Sequence, residues 1–193
     1  KNVNVSIPKI LNYDSSKNIM ILEDFGDNRF DKLINDSKYT SHLLSIAIQS
    51  LVVFKNSIKY EKNIEIPIYN YNIFRKEISE FVDLYYPFIW KKNISKDNKK
   101  NFFDIWEKKY HQINLKSDSF VHKDFFCNNL FYLPHRKKHL QCGIIDYQDA
   151  FIGDAALDMV SLLQDSRRII KYNCNNNLIK HYLKKTNQIK FKD

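Results

Sequence analysis

The chain has 193 residues, 44% of them hydrophobic and 15% aromatic, a length and composition that suit one packed domain and exclude a disordered tail. Its formal charge of +9 would suit a polyanion, but the lysines are spread through nearly every segment, and the densest basic clusters lie in predicted loops without interleaved aromatic residues. Such clusters are typical of a solvated surface, so nucleic-acid binding is not expected.

The first half of the chain changes from strand patterns to helix patterns. Residues 3–23 alternate short β-favouring runs around a polar turn, which predicts a small antiparallel hairpin. Apolar residues at helical spacing over 43–54, behind Thr40 or Ser41 as N-cap, predict a mostly buried helix. Two more helices are predicted over 72–88 and 96–112, the first of them ending near Pro87.

The second half adds short strands and two further helices. After Phe120 the pattern predicts two strands, over 130–133 and 141–145, and then helices over about 154–170 and 178–185. A few leading strands followed by a mostly helical remainder predict an α+β fold.

Cysteine usage and hydropathy bear on the compartment. The three cysteines, Cys127, Cys142 and Cys174, form no CxxC pair, which disfavours a disulfide framework and a zinc knuckle and fits a reducing cytoplasm. No apolar run reaches the roughly 18 residues that a membrane span requires, so no membrane partner is expected. The sequence carries no signal for an oligomeric state.

The segment between His122 and Asp146 carries the chemistry. It contains the pattern HxDxxxxN, from His122 through Asp124 to Asn129, and then an apolar strand that ends in Asp146. Phosphoryl transfer needs a carboxylate that deprotonates the acceptor hydroxyl and oxygen ligands that hold magnesium across the nucleotide phosphates. We therefore predict Asp124 as the catalytic base and Asn129 and Asp146 as metal ligands, in preference to a turn residue, a strand cap and a second turn residue.

With this loop, the chain resembles the aminoglycoside phosphotransferase and choline kinase superfamily, and within it the bacterial anomeric N-acetylmuramate and N-acetylglucosamine kinases. Further segments that carry the resemblance are 21–27, which is similar to the hinge of these enzymes, 68–87 and 145–165. The resemblance implies a protein-kinase-like fold, with residues 1–27 as the end of a small β N-lobe and the hinge, and 28–193 as a mostly helical C-lobe. It also implies ATP and Mg²⁺ as cofactors and a small-molecule substrate, an amino sugar phosphorylated on its anomeric hydroxyl in cell-wall recycling.

The same resemblance places ATP against the hinge. Glu23, Asp24 and Phe25 would contact adenine mainly through their backbone groups, although a solvated turn after a strand is the alternative. No Gly-rich loop and no strand lysine precede this segment, and the family has both. The chain is therefore expected to be either part of a longer enzyme or a catalytically silent, kinase-like binding module.

Supporting roles are expected for four other residues. By analogy Asp158 braces the catalytic loop from beneath, but capping of its own helix is an equally good interpretation. His122 is expected to pack and to form hydrogen bonds within the loop, not to titrate in catalysis. Gln148 and Asp149 either line the sugar pocket or are solvated loop residues. Phe126-Cys127-Asn128 replaces a polar trio common in the sugar-kinase branch, so an aminoglycoside or a choline-like acceptor stays open.

Overall fold

The computed structural model describes residues 4–57, 66–168 and 172–186, with the backbone alone for 172–175. Strands β1 (Ile10–Asp14) and β2 (Ile19–Leu22) form the predicted antiparallel hairpin. The Asp14 carboxylate accepts hydrogen bonds from the backbone N–H groups of Ser16 and Lys17, which closes the turn. Residues 1–3 of the predicted N-lobe segment lie outside the described residues.

The core is built on α2 (Ser37–Ser57), which follows the short α1 (Phe30–Leu33). The predicted cap at Thr40 or Ser41 is wrong, because the Asp36 carboxylate accepts the N–H of Lys38 at 2.9 Å while the Thr40 hydroxyl donates to the carbonyl of Ile34. A short acidic side chain thus starts the helix one turn earlier than the apolar pattern indicates. The buried positions of α2 are Leu43, Leu44, Ile46, Ala47, Ile48, Leu51 and Phe54.

The next helix is longer than predicted. It consists of α3 (Tyr71–Glu80), a π turn at Phe81–Tyr85, and α4 (Tyr86–Trp90). The side chain of Asn70 caps it by accepting the N–H groups of Asn72 and Ile73. The helix does not end near Pro87. The π turn shifts the backbone hydrogen-bond pattern by one residue just before Pro87, whose nitrogen carries no hydrogen to donate, so the helix can continue through the proline.

Helix α5 (Lys96–Ile113) begins at the Ser95 cap and packs against α3. Its bounds lie within a residue of the prediction. Tyr110 stacks on Phe74 of α3 with 5.0 Å between the ring centroids, a contact typical of an aromatic pair in a helix interface.

Within the described residues the remaining strands form two short antiparallel pairs. β3 (Ser119–Val121) pairs with β6 (Phe151–Gly153), and β4 (Leu130–Tyr132) pairs with β5 (Cys142–Ile144). Strands β4 and β5 were predicted, although their pairing was not, and β6 was not predicted. These two pairs place the ends of β3 and β5 beside each other, and those ends carry the loops that contain Asp124 and Asp146.

Two helices close the fold, α6 (Ala156–Leu163) and α7 (Tyr172–Lys185). The prediction for α6 is too long, because Gln164 leaves the helical conformation and the side chain of Asp165 accepts the N–H of Arg167 in a local turn; residues 169–170 lie outside the described residues. α7 begins earlier than predicted and packs on α2. No described helix is both long and apolar enough to cross a bilayer.

Candidate active site

A buried carboxylate holds the loop that follows β3. Asp158, in α6, accepts the backbone N–H of His122 on Oδ2 at 2.7 Å and that of Lys123 on Oδ1 at 3.0 Å. Burial raises the pKa of Asp158 to about 7, against the two N–H groups, which act to lower it. The Asp158 oxygens accept hydrogen bonds from the loop and not from the start of their own helix. Asp158 therefore braces the loop and does not cap α6.

His122 is part of the same support. Its ring is fully buried and packs edge-on against Phe125, with 5.7 Å between the centroids. Nε2 lies 2.9 Å from the carbonyl oxygen of Ile145 and donates to it, which ties the loop to the end of β5. Burial lowers the pKa of His122, so the ring is neutral near pH 7 and serves as a donor and a packing group.

The three residues predicted to perform the chemistry come together around the Asn129 amide. Its Nδ2 donates to the backbone carbonyl of Asp124 at 3.0 Å and to Oδ2 of Asp146 at 3.3 Å. The backbone of Asp146 is left-handed, with φ +68°, and this turns the carboxylate towards Asn129 just after β5. The Asp124 side chain is half-buried, and no hydrogen bond or ion pair within the described residues engages its carboxylate.

The donor set fits a magnesium ion. The Nδ2 bonds leave Oδ1 of Asn129 without a partner among the described residues, and the Asp146 carboxylate lies beside it. In the part of the chain that the structure describes, no three His, Cys, Asp or Glu side chains converge as a metal cage. One carboxylate and one amide oxygen are the sparse protein set that Mg²⁺ takes when phosphates and waters supply its other ligands.

The two residues considered for the sugar pocket have different surroundings. Gln148 donates from Nε2 to Oδ1 of Asp146 at 2.8 Å, so its side chain holds the candidate metal ligand. Asp149 is exposed and makes no hydrogen bond or ion pair within the described residues. The structure therefore brings Gln148 into the site and leaves Asp149 on its surface.

The hinge-like segment lies against β4 and β5. The Glu23 carboxylate accepts from Arg136 Nη2 at 2.5 Å, and the Asp24 side chain accepts the N–H of Gly26 at 2.7 Å. The ring of Phe25 packs edge-on against Phe131 of β4. The peptide groups of Asp24 and Phe25 form no backbone hydrogen bond within the described residues, so they are available to a ligand.

Sequence reasoning missed a charged network beside the catalytic loop. The side chain of Asp165 is 0% exposed and accepts from Nη1 of Arg167 at 3.0 Å and from Nε of Arg168 at 3.1 Å. Arg168 also donates to the side chain of Asn128 at 2.8 Å. A signal existed in the rarity of arginine, since only five of the 31 basic residues are arginines, and arginine is suited to such fixed, multiple hydrogen bonds.

Lys123 and Glu77 form a second contact that the sequence did not indicate. Lys123 Nζ lies 3.6 Å from Glu77 Oε1, and the hydroxyl of Tyr69 donates to Glu77 Oε2 at 2.8 Å. Tyr69 in turn stacks on Phe151 of β6 at 4.7 Å. Helix α3 is thereby joined to the residue next to the predicted base.

Two kinases are among the solved structures whose fold is similar to that of this chain. Choline kinase LicA from Streptococcus pneumoniae matches with a TM-score of 0.60 and 14% identity, over 91% of this chain and 55% of that one. The ADP-bound aminoglycoside phosphotransferase APH(2'')-Ib matches with a TM-score of 0.64 and 16% identity, over 93% of this chain and 60% of that one. The fold is thus protein-kinase-like, α+β with a small β region, as predicted.

Sequence comparison places the chain more narrowly. Residues 89–189 match the model of the phosphotransferase enzyme family, APH, and the chain belongs to that family. An N-acetylmuramate/N-acetylglucosamine kinase of Caulobacter vibrioides is 28% identical over 177 residues, which cover 86% of this chain and 47% of the relative. The kinase of that name from Neisseria meningitidis is 25% identical over 84% of this chain and 47% of the relative. The chain spans about half the length of these curated relatives.

Proposed function

We propose that this chain carries the catalytic lobe of an ATP- and Mg²⁺-dependent kinase for a small molecule, an amino sugar phosphorylated on its anomeric hydroxyl in cytoplasmic cell-wall recycling. The observation that carries the proposal is the Asn129 amide, which bonds to the backbone of Asp124 and to the carboxylate of Asp146 at once. The names of the curated relatives support the sugar.

Asp124 acts as the general base in this proposal. As the acceptor oxygen forms its bond to the γ-phosphorus of ATP, the bond from that phosphorus to the leaving ADP oxygen breaks, and the acceptor proton moves to an Asp124 carboxylate oxygen. The freedom of that carboxylate from hydrogen bonds and ion pairs within the described residues suits this role. The Asp158 brace and the His122 hydrogen bond fix the loop from which Asp124 projects.

Asn129 Oδ1 and the Asp146 carboxylate would hold the metal, and Gln148 would orient Asp146 through its 2.8 Å hydrogen bond. When bound, Mg²⁺ supplies positive charge to the nucleotide phosphates and neutralises the charge that develops on them. Residues 1–27 would be the end of the N-lobe and the hinge, and 28–193 the C-lobe. Adenine would then lie against the free peptide groups of Asp24 and Phe25, next to Glu23.

An Asp124→Asn variant tests the assignment of the base. In the natural polypeptide that contains these residues, its turnover of N-acetylglucosamine with MgATP should fall by about 10²–10⁴-fold, because the amide cannot accept the proton. The measurement is ADP release coupled to sugar. Asp104→Asn is the matched control, since Asp104 pairs with Lys100 on the exposed face of α5, and its turnover should stay at the wild-type level.

Wild-type turnover by Asp124→Asn would refute the base assignment. MgATP binding to the natural polypeptide that contains these residues, measured by calorimetry, separates the enzyme from the silent module. Binding that Asp146→Asn weakens supports the metal site, and no binding to that polypeptide favours the module. If choline or an aminoglycoside is phosphorylated and neither N-acetylmuramate nor N-acetylglucosamine is, the acceptor in this proposal changes. The proposed roles of the base and the metal ligands would then stay the same.

A further inference from the structure

The network around Asp165 leaves part of one arginine free. The guanidinium of Arg167 lies over the ring of Phe126, with Cζ 4.1 Å from the ring centroid, and its Nη1 donates to Asp165. The other edge of its guanidinium, formed by Nε and Nη2, has no partner within the described residues. The Arg167 side chain is 55% exposed, whereas that of its neighbour Arg168 is 13% exposed.

The charges of this network do not cancel. Arg29, Arg167 and Arg168 share two carboxylates, those of Asp31 and Asp165, so three positive charges face two negative ones. Arg29 occupies both oxygens of Asp31 in a bidentate pair, at 2.5 and 2.7 Å. Arg167 is the most exposed of the three arginines, so the excess charge is most accessible to a ligand there.

Arg167 also contacts the loop that carries the predicted base. Phe126, on which it stacks, follows the predicted base by two residues, and its N–H donates to the carbonyl of Asp124 at 2.9 Å. The stacked ring and the bond to buried Asp165 fix the guanidinium in one orientation, so little conformational entropy remains to be lost when a ligand binds. A planar fork held in this way matches the two oxygens of a carboxylate.

We propose that the Nε and Nη2 edge of Arg167 binds a carboxylate on the phosphoryl acceptor and makes an acidic amino sugar the preferred substrate. This inference rests on the proposed function and narrows its substrate class. N-acetylmuramate carries a lactyl carboxylate that N-acetylglucosamine lacks, so Arg167 would distinguish two sugars that share the same reacting hydroxyl. Choline and aminoglycosides are cations, which the same guanidinium would repel.

The test compares the binding of the two sugars to the protein by calorimetry, without turnover. Wild type should bind N-acetylmuramate more tightly than N-acetylglucosamine. Arg167→Gln should weaken N-acetylmuramate roughly 10-fold and change N-acetylglucosamine less than about twofold, because a charge-assisted pair is lost only with the acid. The methyl ester of N-acetylmuramate should bind to wild type as weakly as the acid binds to Arg167→Gln.

Arg75→Gln is the matched control, since Arg75 also stacks on a phenylalanine, Phe103, at 4.0 Å, but on the α3–α5 surface. It should bind both sugars as wild type does, and the melting temperatures of both variants should show that they fold. Equal weakening of both sugars by Arg167→Gln, or of neither, would overturn the inference. If N-acetylglucosamine is phosphorylated but N-acetylmuramate binds no more tightly, the Arg167 inference is overturned and the kinase function stands. If N-acetylmuramate binds more tightly through Arg167 but no phosphoryl group is transferred, the inference is upheld and the kinase function fails.

Discussion

The loop from His122 to Asn129 and the hinge-like segment are held in opposite ways. From His122 to Asn129 the loop is fixed by buried polar side chains, each bonded to backbone groups, with Asp158 beneath and His122 across to β5. The hinge-like segment is fixed at its surface, by the Glu23–Arg136 pair and the packing of Phe25. A site that acts through side chains needs a loop that is fixed by buried contacts. A site that offers only its peptide groups to a ligand needs only a fixed backbone conformation.

This difference sets how much each contact should contribute to stability. A buried acceptor that loses its role leaves N–H groups unpaired, at a cost of about 1–3 kcal/mol each, whereas a partly exposed ion pair contributes about 0–1 kcal/mol. Substitutions in the two regions should therefore differ in size, even where the hydrogen-bond distances are alike.

The largest effect is expected from Asp158→Asn. At pH 8 the free energy of unfolding should fall by about 2–4 kcal/mol, because the amide accepts only one of the two N–H groups and turns its own NH₂ towards the other. Urea denaturation followed by circular dichroism measures the change. Asp149→Asn is the control within the same site and should shift stability by less than about 0.5 kcal/mol. Equal losses in the two variants would contradict the internal brace.

A pH dependence of intermediate size should follow from the same carboxylate. The pKa of Asp158 is about 7 in the folded state, above the ordinary 3.8, so between these values the folded state binds more protons than the unfolded one. Wild-type unfolding free energy should therefore fall, relative to that of Asp158→Asn, as the pH rises from about 4 to 7, by at most about 1.4 kcal/mol per unit. Parallel pH curves for the two proteins would rule out this titration.

The smallest effect is expected in the hinge-like segment, from Glu23→Gln. Glu23 and Arg136 are 25% and 21% exposed, so loss of the ion pair should cost no more than about 1 kcal/mol. Differential scanning calorimetry would show a slightly lower Tm for the variant than for the wild type. Added salt should make this difference smaller, because it screens the ion pair in the wild type. A loss as large as that of Asp158→Asn would show that the two regions are held alike.

The catalytic loop could be predicted because its signal is local. Asp124 and Asn129 stand in one short pattern, and Asp146 ends a strand whose apolar residues are contiguous in the sequence. The hairpin and α5 could be predicted for the same reason, since a polar turn and an apolar helical stripe are also local signals. The roles of Asp124, Asn129 and Asp146 stay predictions, although the structure brings these residues together.

What could not be predicted depends on distant pairing. β6 has three residues and exists because it pairs with β3, some thirty residues earlier, a contact that carries no local period. The contact of Arg167 with Phe126 likewise joins the turn after α6 to a loop far away in the sequence. The π turn before Pro87 was not predicted, because the apolar residues of the helix continue through it without interruption.

Gly143 has a consequence for how sequences of this kind can vary. A Cβ at this position of β5 would lie 2.7 Å from the ring of Phe25, closer than packed atoms allow. A side chain at 143 would therefore require the ring at 25 to move or to be replaced by a smaller group, and the Leu133 side chain, whose Cδ1 would lie 3.0 Å away, to shift as well. Among homologues the two positions should covary, so that a larger residue at position 143 is accompanied by a smaller one at position 25.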